Sequence, residues 1–271
     1  MAFSLKQKLK LLEEIKKIAQ KASESIMDIY KESFEIQIKN DGSPLTKADE
    51  NAHHVIKGIL SNIDPQLPLL SEESLAEEFK ERRNWKSYWL VDPLDGTKEF
   101  VSRNGEFTVN IALIEDTRAT LGVVIAPAMQ IEYSGITGLG AWRREKDGKT
   151  CEIKVSQPHN PCIRVLGSRS HSNAGLENYL ATLGNHKLKK MGSSLKICRI
   201  AEGEADLYPR FSPTSEWDTA ASQAILESAG GSMIDLDGQP IRYNTKNGLL
   251  NPHFLAVGDP EKNWLKSALS D

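Results

Sequence analysis

The run Trp89-Leu90-Val91-Asp92-Pro93-Leu94-Asp95-Gly96-Thr97 constrains this chain more than any other feature of its sequence. An apolar strand, Tyr88 to Val91, leads directly into turn residues. Asp92, Pro93, Leu94 and Asp95 fit the four positions of a type I turn, with Asp first and Pro second. The end residues of such a turn lie within about 7 Å at Cα, so both carboxylates reach one point. At a separation of about 4 Å two unit charges repel by roughly 4 kcal/mol at an effective dielectric near 20. A hard divalent cation converts that repulsion into binding, and oxygen-only ligands favour magnesium, calcium or manganese. Asp, Pro and Gly are equally the residues of an ordinary solvated turn, so the run alone leaves both readings open.

A chain of 271 residues suffices for one large domain or two modest ones sharing a core. With 26% charged and 39% hydrophobic residues it has the composition of a globular protein. The net charge is −3, from 34 basic and 37 acidic residues with no basic block. That balance argues against polymeric nucleic acid and leaves an anionic small molecule open. Cys151, Cys162 and Cys198 form no Cys-x-x-Cys pair and point to free thiols in a reducing compartment. No signal-peptide apolar region and no uninterrupted spanning stretch is found, so the expected location is the cytoplasm.

Along the chain, Leu5 through Ile29 repeat at helical spacing, and Phe34, Ile36 and Ile38 alternate as a half-buried strand. Asn40 to Pro44 form a turn, and a helix starting near Thr46 turns Ala48, Ala52, Val55, Ile56 and Ile59 inward. Leu67 to Leu70 form a short strand that delivers Glu72 and Glu73, and residues 75–84 are polar helix or loop. Strands are expected at 107–114, 121–126, 130–136 and 151–155. Gln157 to Pro161 interrupt the pattern and divide the chain into an N-terminal half, 1–156, and a C-terminal half, 157–271. The second half reads as strand (163–167), helix (173–183), strand (187–191), helix (194–203), strand (205–210) and helix (217–229). Strands at 232–236 and 253–257 and a short final helix follow. Long mixed runs of this kind stack into α and β layers. Gly135 to Gly140 and Asp235 to Gly238 are turn sequences, and His53-His54 belongs on a helix surface.

Further carboxylates sharpen the metal reading. Glu72 ends a buried strand. Asp49, three residues after Thr46, and Asp218, after Trp217 at the start of an Ala-rich helix, also suit helix starts for structural reasons alone. Taken together, Glu72-Glu73-Ser74, Asp92 to Thr97 and Trp217-Asp218-x-Ala220-Ala221 resemble the three signature segments of the lithium-sensitive, magnesium-dependent phosphomonoesterases. That superfamily includes inositol monophosphatase and fructose bisphosphatase. The segments occur in the family order, and the resemblance covers essentially the whole chain. Within it, Lys98-Glu99-Phe100, Arg103 to Asn110, Gly167 to His171 and Gly192 to Lys196 are similar to the bacterial 3'(2'),5'-bisphosphate nucleotidase branch.

The resemblance implies a layered α+β fold of αβαβα type with two sheets, like the sugar phosphatases. It implies two or three Mg²⁺ ions held by Glu72, Asp92, Asp95, Asp218 and the Leu94 carbonyl, with inhibition by Li⁺. Asp49 and Thr97 would hold the attacking water for in-line displacement without a phosphoenzyme. Gly96 and Thr97 would open a helix whose free N–H groups face the phosphate. Glu72, Leu94, Asp95, Gly96, Thr97 and Asp218 would also border the bound phosphate. His171, Ser193, Ser194, Lys196 and Arg210 are candidates for the rest of a bisphosphate nucleotide, although each also has an ordinary structural role to fill, such as an N-cap for the Ser pair. The expected reaction removes the 3'-phosphate of adenosine 3',5'-bisphosphate, giving AMP; 3'-phosphoadenylyl sulfate is a second substrate to test. The competing readings are an inositol or sugar phosphatase and a non-catalytic nucleotide or metal sensor. A monomer or homodimer, with or without peripheral contact at the inner membrane, fits the sequence equally.

Overall fold

We analysed a computed structural model of the chain; it describes residues 3–32, 35–38, 44–74, 77–156, 162–169 and 174–265. The elements in chain order are α1 (Leu5–Tyr30), β1 (Ile36–Ile38), β2 (Pro44–Thr46), α2 (Lys47–Leu60), β3 (Leu69–Ser71), α3 (Phe79–Arg82), β4 (Ser87–Asp95) and α4 (Thr97–Val101). There follow β5 (Thr108–Glu115), β6 (Arg118–Ala126), β7 (Ile131–Ile136), β8 (Gly140–Arg144) and β9 (Thr150–Ile153). The second half holds β10 (Ile163–Ser168), α5 (Ala174–Thr182), β11 (His186–Met191), α6 (Leu195–Ala201), β12 (Leu207–Arg210), α7 (Glu216–Ser228), β13 (Ser232–Asp235) and β14 (Phe254–Val257). No described helix is long and apolar enough to cross a membrane.

Strands β3 to β9 form a seven-stranded sheet in chain order, antiparallel except for the parallel β3–β4 pair. Both faces of its centre are covered, so β5 is buried at every position, and alternate residues serve two cores. Trp89, Val91, Ile111 and Val123 pack with Leu12, Ile15, Ala19, Ala52 and Ile56 of α1 and α2. Leu90, Ala112 and Val124 pack on the opposite side with Ala220, Ala221, Ala224 and Ile225 of α7. A five-stranded sheet, ordered β11-β10-β12-β14-β13, covers the far side of α6 and α7 through Tyr208, Phe254 and Ala256. Its other face turns Val165, Leu207, Leu255 and Val257 toward Tyr179 of α5 and Trp264. The layers are thus αβαβα, as expected. The two halves named from sequence share one core, because α7 belongs to the second half and packs on the sheet of the first.

The close seat of α7 depends on two glycines facing it. A Cβ added at Gly122 of β6 would lie 2.1 Å from the Ala221 carbonyl oxygen, and one at Gly135 of β7 would lie 2.9 Å from Ile225 Cα. The helix meets Gly122 with Ala221 and Gly135 with Ile225 and Ser228, so backbone approaches backbone.

Several expectations change. Ile36 and Ile38 are exposed, not half-buried, because β1 pairs only with β2 in a separate two-stranded hairpin. His53 is buried and bonds Ser71 Oγ at 3.0 Å through Nδ1, so it fixes α2 to β3 instead of lying on a helix surface. The glycines at 135 and 140 lie in β7 and at the start of β8, a strand the sequence reading did not separate; the reversal runs through Gly138 at φ +84°. The Asp235 turn is a tight loop in which Oδ1 accepts the Asp237 and Gln239 N–H groups. Phe34, the turn at 40–43, the divide at 157–161 and the final helix lie outside the described residues.

We expect Gly122→Ala to lower the unfolding free energy by about 3 kcal/mol, at the upper end of overpacking penalties. A urea melt followed by circular dichroism checks this; a loss below about 0.5 kcal/mol would mean that α7 does not sit against β6 as described.

Candidate active site

The Asp92–Asp95 segment is not a free type I turn. It is the end of β4, still paired to β5, with Asp92 opposite Asn110 and Asp95 opposite Thr108. Three steps on β4 match two on β5, which is a β-bulge with one extra residue. Pairing on β5 holds the bulge, and the Leu94 N–H donates to Asp92 Oδ1 at 3.0 Å. Both aspartates therefore line the same cleft without a classical reversal of the chain.

Glu72 joins them by strand pairing: it follows β3, and its N–H donates to the Val91 carbonyl at 3.2 Å, placing it level with Asp92, one step past the Ser71–Val91 pair. Asp218 comes from the first turn of α7, where its Oδ2 accepts the Ser215 N–H at 3.0 Å. Glu72, Asp92, Leu94, Asp95 and Asp218 all border one cleft of about 330 Å³. Its other sides come from the second half of the chain, including Ser168, Gly192, Ser193, Tyr208, Arg210 and Phe254.

The electrostatics show what the cleft demands. Burial, then repulsion from Glu72, Asp95 and Asp218, holds the Asp92 carboxyl well above its usual range. Burial also raises Asp95, to about 6, although Lys196 and the Ser194 N–H at 2.5 Å pull the other way. Asp218 is likewise raised well above normal by burial, Asp95 and Glu72. The carboxylates surround a common space without closing on a point: among the described residues no three His, Cys, Asp or Glu side chains form a ready cation cage. The donor chemistry fits Mg²⁺: hard oxygens only, several of them anionic, with the Leu94 carbonyl beside them. A divalent cation would relieve the repulsion that raises these groups.

Asp49 and Thr97 meet across 48 residues of sequence. Asp49 is buried at the start of α2, where Oδ2 accepts both the Thr46 N–H at 2.8 Å and the Thr46 hydroxyl at 2.7 Å. Its other oxygen, Oδ1, faces the Thr97 hydroxyl at 3.2 Å, and the same hydroxyl lies 3.4 Å from the Leu94 carbonyl. Capping and placement beside Thr97 are thus two uses of one carboxylate. Thr97 opens α4 after Gly96, which takes the left-handed conformation at φ +90° and reverses the chain at the cleft edge.

The candidates on the nucleotide side divide. Lys196 is buried, donates to the Ser193 carbonyl at 2.5 Å and lies over the Tyr208 ring; burial lowers its ammonium to about 8 despite the nearby Asp95. Ser193 borders the cleft at φ +48°. Ser194 is not an open oxyanion donor: its hydroxyl bonds Asn110 Oδ1 at 2.7 Å and Thr108 at 2.9 Å, and its N–H holds Asp95. Arg210 likewise braces the following loop, donating to the carbonyls of Ser212 at 3.0 Å and Pro213 at 2.6 Å. The Ser194 hydroxyl and N–H are thus engaged by β5 and Asp95, while Arg210 uses Nε and Nη2 for the loop and still borders the cleft. His171 lies outside the described residues. The sequence reading missed Glu99, Ser168, Tyr208 and Phe254 as cleft residues. Glu99 and Ser168 were within reach, since both lie in segments already singled out, and Tyr208 lies two residues before Arg210; Phe254 carries no local signal.

A bulged strand that presents two aspartates, a glutamate from the neighbouring parallel strand and an aspartate at the start of a buried helix define a metal-dependent phosphatase architecture. The chain belongs to the inositol monophosphatase family, whose model matches residues 8–266. Among its relatives is 3'(2'),5'-bisphosphate nucleotidase CysQ of Escherichia coli K12, 46% identical over 246 residues, covering 90% of this chain and 98% of the relative. The Haemophilus influenzae enzyme of that name is 32% identical over 255 residues, covering 94% and 95%. The crystal structure of CysQ from Bacteroides thetaiotaomicron superposes with a TM-score of 0.78 at 40% identity, covering 89% of this chain and 94% of that one.

Because Asp95 titrates near 6 when folded against 3.8 ordinarily, the metal-free protein binds more protons folded than unfolded between those values. Its stability therefore rises as pH falls from 7 toward 5. Asp92→Asn removes one repelling charge. We expect it to raise the melting temperature in chelator at pH 7 by on the order of 2–4 °C, and to shrink the further rise that Mg²⁺ gives the wild type. Differential scanning calorimetry with and without Mg²⁺ checks both; a destabilised, normally Mg²⁺-responsive variant would contradict the electrostatic account.

Proposed function

We propose that this protein is a Mg²⁺-dependent phosphomonoesterase that removes the 3'-phosphate from adenosine 3',5'-bisphosphate, yielding AMP and phosphate. The observation that carries the chemistry is the convergence of Glu72, Asp92, Asp95 and Asp218 on one cleft beside the Asp49–Thr97 pair. The substrate assignment draws on the CysQ relatives, which carry the nucleotidase name along nearly their whole length. Glu72, Asp92, Asp95, Asp218 and the Leu94 carbonyl would hold two or three Mg²⁺ ions, with Li⁺ as a competitor. Bound there, Mg²⁺ neutralises the phosphoryl oxygens and lowers the pKa of water.

The chain's own groups do the rest. A water in front of Thr97 donates to Oγ1 while the Thr97 hydroxyl donates to Asp49 Oδ1. As the water oxygen bonds to phosphorus and the ester P–O bond breaks, its proton passes along this pair to the Asp49 carboxylate. The alkoxide that leaves takes a proton from solvent. Thr46 holds Asp49 in place through two hydrogen bonds to Oδ2, which aims Oδ1 at the Thr97 hydroxyl. Gly96 allows the chain to pass close to the phosphate, and the ammonium of Lys196 offsets the acidic lining near Asp95. Three free thiols fit a reducing cytoplasm.

Phosphate release from adenosine 3',5'-bisphosphate, inositol 1-phosphate and fructose 1,6-bisphosphate separates the readings. We expect the nucleotide to be preferred, and preference for either sugar-like ester would move the enzyme to another branch. Tight nucleotide binding without release would mark a sensor. Thr97→Val should lower kcat by about 10²–10⁴-fold with little change in KM, as for loss of a proton-transfer group. A variant with full turnover would remove Thr97 from the proton path.

A further inference from the structure

We propose that Glu106 and Arg169 form a positioning pair that sets the affinity of the cleft for the nucleotide while leaving its hydrolytic end unaffected. The inference rests on the bisphosphate-nucleotide reading above and deepens it.

Glu106 lies between α4 and β5, in a turn fixed by Gly105 at φ +79° and by its own N–H donating to Asn104 Oδ1 at 2.9 Å. Its carboxylate reaches into the second half of the chain. Oε2 accepts the Gly192 N–H at 2.7 Å, and both oxygens accept from Arg169 Nη2, at 2.8 and 2.7 Å. Arg169 follows the last residue of β10, and Gly192 follows the last residue of β11, so one carboxylate ties the ends of two neighbouring parallel strands. The Arg169 N–H adds a bond to the Met191 carbonyl at 3.3 Å.

These strand ends supply Ser168, Gly192 and Ser193 to the cleft. Gly192 has no room for a side chain: an added Cβ would stand 2.5 Å from Glu99 Cγ and 2.8 Å from the Glu106 carbonyl oxygen. The Glu106 contact thus holds this segment close against α4 and the turn before β5. Arg169 is not supporting the core, since its side chain is 46% exposed against 14% for Glu106. What Arg169 supplies is charge: it neutralises a carboxylate one hydrogen bond behind the cleft-lining Gly192, which would otherwise repel an arriving polyanion. A substrate with a second phosphate on the far side of the ribose feels that carboxylate; a small ester held only at the hydrolytic end does not.

The experiment compares adenosine 3',5'-bisphosphate with p-nitrophenyl phosphate in the Mg²⁺-loaded wild type, Arg169→Gln, Glu106→Gln and the double variant. For Arg169→Gln we expect KM for the nucleotide to rise roughly five- to tenfold, the scale of one lost charge-assisted contact. Its kcat should stay within about twofold, and kinetics on p-nitrophenyl phosphate should be unchanged. Glu106→Gln in the Arg169→Gln background should lower the nucleotide KM again, because the bare carboxylate is gone while an amide oxygen still accepts from Gly192. A purely structural role gives no such recovery. Equal losses on both esters, an unchanged nucleotide KM, or a double variant worse than Arg169→Gln would overturn the assignment. A wild type with no preference for the nucleotide would overturn the substrate reading itself, and that arm identifies which of the two failed.

Discussion

Asp218 stands beside Asp92 because α7 lies nearly in backbone contact with the seven-stranded sheet. That approach exists only where β6 and β7 carry glycine, at positions 122 and 135, against Ala221 and Ile225 of α7. A larger residue at this contact would lift the helix and carry its first turn, with Trp217 and Asp218, away from the end of β4. Packing density thus sets the electrostatics of the site. The acidic cluster forms because a hydrophobic layer drives together elements that would otherwise separate by charge.

The same layer bears the penalty of that arrangement. Asp92 and Asp218 have raised pKa values from burial and mutual repulsion, with only single backbone donors and distant cations in opposition. In a protein whose net stability is small, such a cluster survives because the surrounding cores are large and continuous. It is the form expected of the proposed cation site, in which these groups would exchange protons for divalent ions.

A second theme is the double use of capping carboxylates. Asp49 and Asp218 each sit in the first turn of a helix and accept the N–H of the residue that precedes it. The cap fixes one oxygen and thereby aims the other. Similar economy holds for Ser194, whose N–H orients Asp95 while its hydroxyl ties α6 to β5. Rotational freedom at the cleft is removed by bonds that also serve the fold, which is what preorganisation of a site requires.

Periodicity alone located most helices and strands, because one-sided burial leaves a 3.6- or 2-residue signature in Leu5 to Tyr30 or Thr108 to Glu115. Glu72, Asp92, Asp95 and Asp218 were legible as cleft carboxylates from the three signature segments, since each is short and local, whereas Glu99, outside those segments, was not. Three further things were not legible. The bulge at Asp92–Asp95 looks like a turn because Asp, Pro and Gly suit both, and only pairing with β5 decides between them. His53 resembles a surface residue until β3 brings Ser71 to it. The Ser194 hydroxyl appears available until Asn110 and Thr108 of β5 claim it. The sequence by itself determined which chemical groups this protein holds and which segments carry them, because those are properties of neighbouring residues. The tertiary structure alone decided which groups still face open space, because that depends on partners distant in the chain, brought close by the burial of apolar faces.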